Sequence, residues 1–162
     1  MQVFFKYTLV IALAIIFSNC QSQTKNQNHT MQTYKVEKSE AEWLEELGAE
    51  RYYILRQKGT ERPHTGEFNM HFEKGIYKCA GCDTKLFESD SKFNTNCGWP
   101  SFDQAIEGTI EYLKDTSHGM IRTEIVCANC GGHLGHVFDD GPTATGQRYC
   151  VNSLSIDFEE AE

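Results

Sequence analysis

The sequence predicts a mainly antiparallel β domain led by two short helices. Three observations carry that reading. From Thr60 onward, short runs of alternating apolar and polar residues are broken by Gly, Asn and Asp, as in strands joined by tight turns. Upstream, Ser39-Glu40-Ala41-Glu42 has capping-box spacing and opens a stretch with helical periodicity. No repeat of solenoid length occurs, the one internal likeness being two CxxC segments. A chain of 162 residues has room for one such domain and a short appendage.

The appendage comes first. Lys6 precedes an apolar run, residues 7–17, that is too short to span a bilayer as a helix but has the size of a signal-peptide core. Cys20 follows directly after Ser18-Asn19, so residues 1–19 read as a signal peptide, resembling the lipoprotein type with Cys20 as the acylated residue. Asn19 stands where a small residue is usual. Residues 20–33 are rich in Gln, Asn, Ser and Thr, a polar tether with almost nothing to bury. The expected location is therefore outside the inner membrane: periplasmic, or anchored by an N-terminal lipid and facing the periplasm.

Residues 34–162 form the domain. After the Ser39 cap, Trp43 and Leu47 share a helix face, and Gly48 ends the run. A second helix is expected over residues 49–58, with Tyr52, Tyr53, Ile54 and Leu55 as candidates for burial and Gly59 as its stop. Residues 76–78, 110–113, 120–126, 135–138 and 148–152 read as strands, and thirteen glycines and three prolines serve the turns.

Composition narrows the function. Apolar residues make up 40% of the chain and aromatics 12%, which suits a packed globule. The net charge is −8 and no basic run of five or more occurs, so nucleic acid is an unsuitable partner. Nothing in the pattern demands more than a monomer.

Seven cysteines remain to be explained. Cys79 and Cys82 form one CxxC pair and Cys127 and Cys130 the other, each at the end of an expected strand. This is the knuckle spacing of a structural zinc site, in which four thiolates fill a tetrahedral ion and leave no position for water or substrate. Iron could take the same place. Two disulfides, or one redox-active CxxC, would also use paired cysteines. The redox motif usually opens a helix in a βαβ unit, and none is expected here.

Cys150 and Cys97 stand apart. In a strand, Arg148, Cys150 and Asn152 share a face. The guanidinium would then favour the thiolate, and the Asn152 amide could hold a substrate or a water. A buried, inert cysteine beside a surface arginine fits the same spacing. Cys97 lies in a loop of turn formers, where a thiol can approach another sulfur or simply be a loop residue. His133 and His136 follow the second knuckle; strand parity puts His136 with Phe138 and turns His133 away. For both histidines to serve one pocket the chain must bend between them, and Gly135 permits a bulge there.

Several segments, in this order, resemble the B-type methionine sulfoxide reductases, which act on the R epimer at sulfur: Gly59-Thr60-Glu61-Arg62-Pro63, Tyr77-Lys78-Cys79, Cys97-Gly98-Trp99-Pro100-Ser101-Phe102, Gly132-His133-Leu134-Gly135-His136-Val137-Phe138 and Arg148-Tyr149-Cys150-Val151-Asn152-Ser153. The resemblance runs from about Trp43 to Phe158. It implies two antiparallel β-sheets with short helices, and one structural zinc on Cys79, Cys82, Cys127 and Cys130. Cys150 would attack the sulfoxide sulfur and Cys97 would resolve the sulfenic acid as a disulfide. Trp99 would wall the ε-methyl group, with His133, His136, Phe138, Arg148 and Asn152 around it, and His136, aided by His133 and a held water, as the acid. A methyl-sized apolar contact is worth ~1–2 kcal/mol of selectivity. The substrate would be oxidised methionine, in proteins or free, and a thioredoxin-like dithiol would reset the pair. His64 departs from the aromatic usual after Pro63.

Two other classes stand beside this one. A zinc-ribbon interaction module would leave Cys150 and Cys97 inert. A zinc hydrolase built on His133 and His136 would need an open metal position.

Overall fold

The computed structural model describes residues 33–161. The signal peptide expected at residues 1–19, and all of the tether but Thr33, lie outside the described residues. Among those described, no helix is long and apolar enough to cross a membrane.

A single bent helix, α1 (Glu40–Leu55), leads the domain. Ser39 caps it: its hydroxyl accepts from the Glu42 N–H, while the Glu42 carboxylate accepts from the Ser39 N–H at 2.8 Å, which satisfies two otherwise orphaned donors. Gly48 sits at φ 69°, ψ 166°, outside helical space, so the chain turns there and resumes. The two expected helices are thus two arms of one bent element, and the second ends at Leu55 rather than Lys58. Trp43, Ile54 and Leu55 are buried, but Tyr53 is 52% exposed, on the outer side of the second arm.

Nine strands follow: β1 (Gly75–Cys79), β2 (Lys85–Glu88), β3 (Lys92–Phe93), β4 (Ser101–Phe102), β5 (Ile110–Asp115), β6 (Arg122–Cys127), β7 (His133–Phe138), β8 (Arg148–Val151) and β9 (Ile156–Glu160). They make two antiparallel sheets, ordered β2-β1-β9 and β3-β4-β8-β7-β6-β5. The mainly β expectation with two antiparallel sheets holds.

Aromatic side chains join the sheets. Tyr77 and Phe87 from the small sheet meet Phe102 of the large one, with ring centroids 5.0 and 4.3 Å apart. Phe158 and Tyr149 extend the cluster. Tyr77, Phe87 and Phe102 are completely buried, and each such aromatic contact adds about 0.5–1.5 kcal/mol beyond area burial. This core holds β4 and β8 rigidly, and those two strands carry Ser101 and Cys150 side by side.

Candidate active site and metal knuckle

The two CxxC segments fold alike. In each, the residue four positions after the first cysteine enters the left-handed region, Asp83 at φ 57° and Gly131 at φ 71°. Their N–H groups return to the carbonyls of Cys79 and Cys127 at 2.9 and 2.8 Å. Each turn therefore presents two sulfurs to one point. The Sγ atoms of Cys79 and Cys130, and of Cys82 and Cys127, are 3.6 Å apart, and all four lie within 4.8 Å of one another. Tetrahedral zinc with Zn–S near 2.3 Å needs S–S edges of about 3.8 Å, so the four sulfurs fit such an ion. At 3.6 Å they are too far apart for disulfides, which need about 2.05 Å. Trp43 and Leu55 of α1 roof this knuckle: a methyl group on Gly81 would touch Trp43, and one on Gly132 would strike Leu55. A metal here would tie β1, β6 and the helix together.

The second sulfur pair lies elsewhere. Cys150 on β8 has Ser101 of β4 on one side and His136 of β7 on the other. The Cys97 Sγ lies 3.8 Å from the Cys150 Sγ, 3.3 Å from the Ser101 hydroxyl and 3.4 Å from the Trp99 carbonyl. Thr95 fixes the Cys97 loop by accepting from its N–H at 2.8 Å. Both sulfurs are half-buried.

Cys150 opens onto a cavity of about 110 Å³, lined by Thr60, Trp99, Arg122, Gly135, His136, Phe138, Cys150 and Asn152. That volume holds roughly three or four water-sized groups, enough for a CH3–S=O head. Gly135 is required here. It sits at φ 153°, and a Cβ would lie 2.0 Å from the Cys150 carbonyl oxygen.

Gly135 also marks the bend that the sequence permits. Ile125 pairs with Gly135, but Val126 pairs with His133, so Leu134 is an extra residue in β7. The bulge brings the His133 and His136 rings to 5.6 Å, although strand parity alone would separate them. His136 lines the cavity; His133 is buried behind it, 3% exposed.

Glu61, given no role by the sequence, holds the walls together. The Trp99 indole N–H donates to the Glu61 carbonyl at 3.2 Å. The Glu61 N–H donates to Asn152 Oδ1, and the Glu61 carboxylate accepts from the backbone N–H groups of Ser153 and Leu154 at 2.6 and 3.1 Å. Burial nevertheless pushes the Glu61 carboxyl up from its ordinary value. Asn152 also donates its amide to the Leu134 carbonyl, so it braces β7 against β8 as well as facing the cavity. Arg148 is not in the cavity wall. Its guanidinium stacks over Phe138 at 4.5 Å and forks onto Asp140 at 2.8 and 2.9 Å, propping the Phe138 wall from outside.

Electrostatics in the sulfur pair are asymmetric. The Cys97 thiol is pulled down to about 4, chiefly by a hydrogen bond from Cys150 and further by Ser101 and Thr95, against burial. Cys150 is pushed well up by Cys97 and by burial, with Arg148 pulling the other way. Arg148 acts in the expected direction, but the neighbouring sulfur and burial outweigh it while both thiols are present.

The fold and these two sites define a β-sheet dithiol protein stapled by a tetrathiolate knuckle. A family model described as the SelR domain matches residues 47–160. The chain is 57% identical over 126 residues to the peptide methionine sulfoxide reductase MsrB of Agrobacterium fabrum, covering 77% of this chain and 93% of that one. It is 55% identical to the MsrB of Variovorax paradoxus (79% and 98% covered) and 54% to that of Leptospira interrogans (78% and 98%). This chain belongs to the SelR domain family.

Proposed function

We propose that this protein reduces methionine sulfoxide to methionine, acting on the R epimer at sulfur, with Cys150 as nucleophile and Cys97 as resolving thiol. One observation carries the reading: two unbonded sulfurs 3.8 Å apart beside a cavity of methyl-sulfoxide size walled by Trp99 and Phe138.

The Cys150 thiolate attacks the electrophilic sulfoxide sulfur, the oxygen passes to Cys150 with one proton, and methionine leaves. Methionine sulfur has been reduced and Cys150 oxidised to sulfenic acid. The Cys97 thiol then attacks that sulfur, expelling water and closing a Cys150–Cys97 disulfide. Reaching bond length requires the sulfurs to move by under 2 Å. A thioredoxin-like dithiol restores both thiols by exchange. Trp99 and Phe138 hold the methyl group and exclude water, and the histidines supply the proton. Zinc bound by Cys79, Cys82, Cys127 and Cys130 contributes folding stability and takes no part in the reaction.

The proposal extends to location. A leader at residues 1–19 directs export, and Cys20 carries a lipid that faces the protein into the periplasm; the apolar run ending just before Cys20 supports it. Mass measurement of the mature N-terminus from host membranes tests this, and an unprocessed Met1 terminus would refute it.

The enzymatic test is an epimer-resolved assay with a dithiol reductant. Activity on the R form, abolished by Cys150→Ser with zinc content intact, is the expected result. Full turnover in Cys150→Ser, or reduction of the S form alone, would sink the proposal. A protein with zinc but no sulfoxide reduction would instead be an interaction module.

A further inference from the structure

Both histidines of β7 are tethered to carboxylates. His136 Nε2 is 2.8 Å from Asp115 Oδ2, and His133 Nδ1 is 2.8 Å from Glu124 Oε1. Each acid is itself held ionised by cations and donors. Arg122 donates to Asp115 at 2.6 Å and the Ser117 N–H at 2.8 Å. Lys58 donates to Glu124 at 2.7 Å. The Asp115 carboxyl lies well below its usual range, first through Ser117 and then through His136 and Arg122. Burial pushes Glu124 up, but the His133 and Lys58 hydrogen bonds outweigh it, and the net direction is down.

Glu124 is only 4% exposed and stands directly across the ladder from His136. A buried carboxylate on a strand is costly unless it does something its neighbours need. Behind the histidines opens a polar cleft of about 630 Å³ whose lining includes Lys58, Lys114, Ser117 and Arg122. His136 belongs to the wall of this cleft and to that of the Cys150 cavity, so it stands between water and the reacting sulfur.

We propose that Asp115 and Glu124 are positioning residues that lock the tautomers of His136 and His133. An ionised carboxylate can only accept. It therefore keeps the proton of neutral His136 on Nε2 and that of neutral His133 on Nδ1, leaving Nδ1 of His136 and Nε2 of His133 bare. In this state neither free nitrogen donates to a sulfoxide oxygen. Each must first take a proton; at His136 burial opposes the added charge, lowering the imidazole below its ordinary value, and the Asp115 carboxylate offsets part of that cost. The proton added at the free nitrogen is the one passed on as Cys150 takes the oxygen. The groups around the two rings are Asp115, Arg122, Glu124, Lys58 and Cys150, besides the rings themselves.

This inference rests on the reductase reading, and its test separates the two. Histidine ring ¹⁵N spectra of the zinc-loaded full-length protein should show His136 as the Nε2–H form and His133 as the Nδ1–H form. In Glu124→Gln the amide can donate to Nδ1, and His133 should switch to Nε2–H; Asp115→Asn should switch His136 to Nδ1–H. Single-turnover reduction should fall at least tenfold in each variant, with substrate affinity and zinc content held. The opposite tautomers in the wild type, unswitched tautomers in both variants, or single-turnover rates within twofold of wild type overturn the proposal. If either variant fails to fold, the other carries the test. Failure of the wild type itself to reduce sulfoxide refutes the reductase reading, whereas the spectra are recorded without substrate.

Discussion

The Cys150 sulfur lies 3.8 Å from that of Cys97, close enough for one thiol to donate to the other. Hydrogen bonding and charge stabilise a thiolate at Cys97 and hold the proton on Cys150. For Cys150 to attack as a thiolate, that proton must leave it, a shift that Arg148 favours. Once Cys150 is oxidised its thiol no longer lowers Cys97, but the Ser101 and Thr95 donors still favour a thiolate there.

Removing Cys97 should therefore make Cys150 more acidic. The Cys97 hydrogen bond and charge both raise the Cys150 thiol, so Cys97→Ser deletes both effects while Arg148 remains. The pH dependence of Cys150 alkylation should shift to lower pH in the variant. One equivalent of methionine should form in a single turnover, while recycling by a dithiol protein stalls. An alkylation profile moved to higher pH would contradict the shared-proton account. Unchanged steady-state recycling would remove Cys97 from its role.

Arg148→Ala should act in the other direction. Loss of the guanidinium raises the Cys150 thiol further and removes the stack on Phe138. A cation–π contact of this kind is worth about 0.5–2 kcal/mol, so kcat/KM should fall roughly 2- to 30-fold. Arg148→Lys should recover only part of it, because an ammonium cannot fork onto Asp140 as Arg148 does. Full recovery by lysine would mean that charge alone matters here.

How much of this was legible beforehand depends on what kind of signal each feature leaves. The knuckle was legible because thiolate ligation imposes a fixed local spacing, repeated at Cys79 and Cys127. The bulge at Gly135 was legible as a requirement, since parity put His133 and His136 on opposite faces. The strands β3 and β4 were not, because two residues cannot display a period of two. Nor was the role of Glu124. A glutamate in an alternating strand ordinarily marks the solvent side, and only the tertiary fold shows Lys58 and His133 meeting it in the interior. A trace did exist: Arg122 and Glu124 share one face of β6, an unusual pair of charges for a strand that also holds Ile125 and Val126. Glu61 falls in a segment that carries the resemblance, but its bracing role could not be read there, because half of it is made by backbone atoms.

Chelation tests the knuckle. If Cys79, Cys82, Cys127 and Cys130 hold one metal, as their clustering allows, its removal leaves four crowded thiols and a roof of Trp43 and Leu55 with nothing rigid beneath. Structural zinc contributes about 10–16 kcal/mol of apparent binding energy in small peptides. Even a fraction of that should lower the midpoint of thermal unfolding by more than about 10 °C, at roughly 2–8 °C per kcal/mol for domains of this size range. Cys82→Ser should abolish stoichiometric metal and reproduce the shift without altering the Cys97–Cys150 pair. Metal analysis and calorimetry in a reducing buffer check both, and an unmoved midpoint on complete metal removal would refute a structural role.

Asp115 gives the acid limb of stability. Its carboxyl is held below the ordinary value by Ser117, His136 and Arg122, so the folded state binds its proton more weakly than the unfolded chain does. The stabilisation is then complete above the unfolded pKa, near 3.9, and is lost as pH falls from there through the lower folded value. Asp115→Asn removes the titrating group, so the variant should be less stable than wild type at pH 6. As pH drops from about 4 towards 2, the two proteins should converge, because the wild-type advantage disappears with protonation. Denaturant unfolding of both at pH 6, 4 and 2.5 measures the gap directly. A gap that widens on acidification would reverse the sign of the linkage and place the charge of Asp115 among the destabilising groups of the fold.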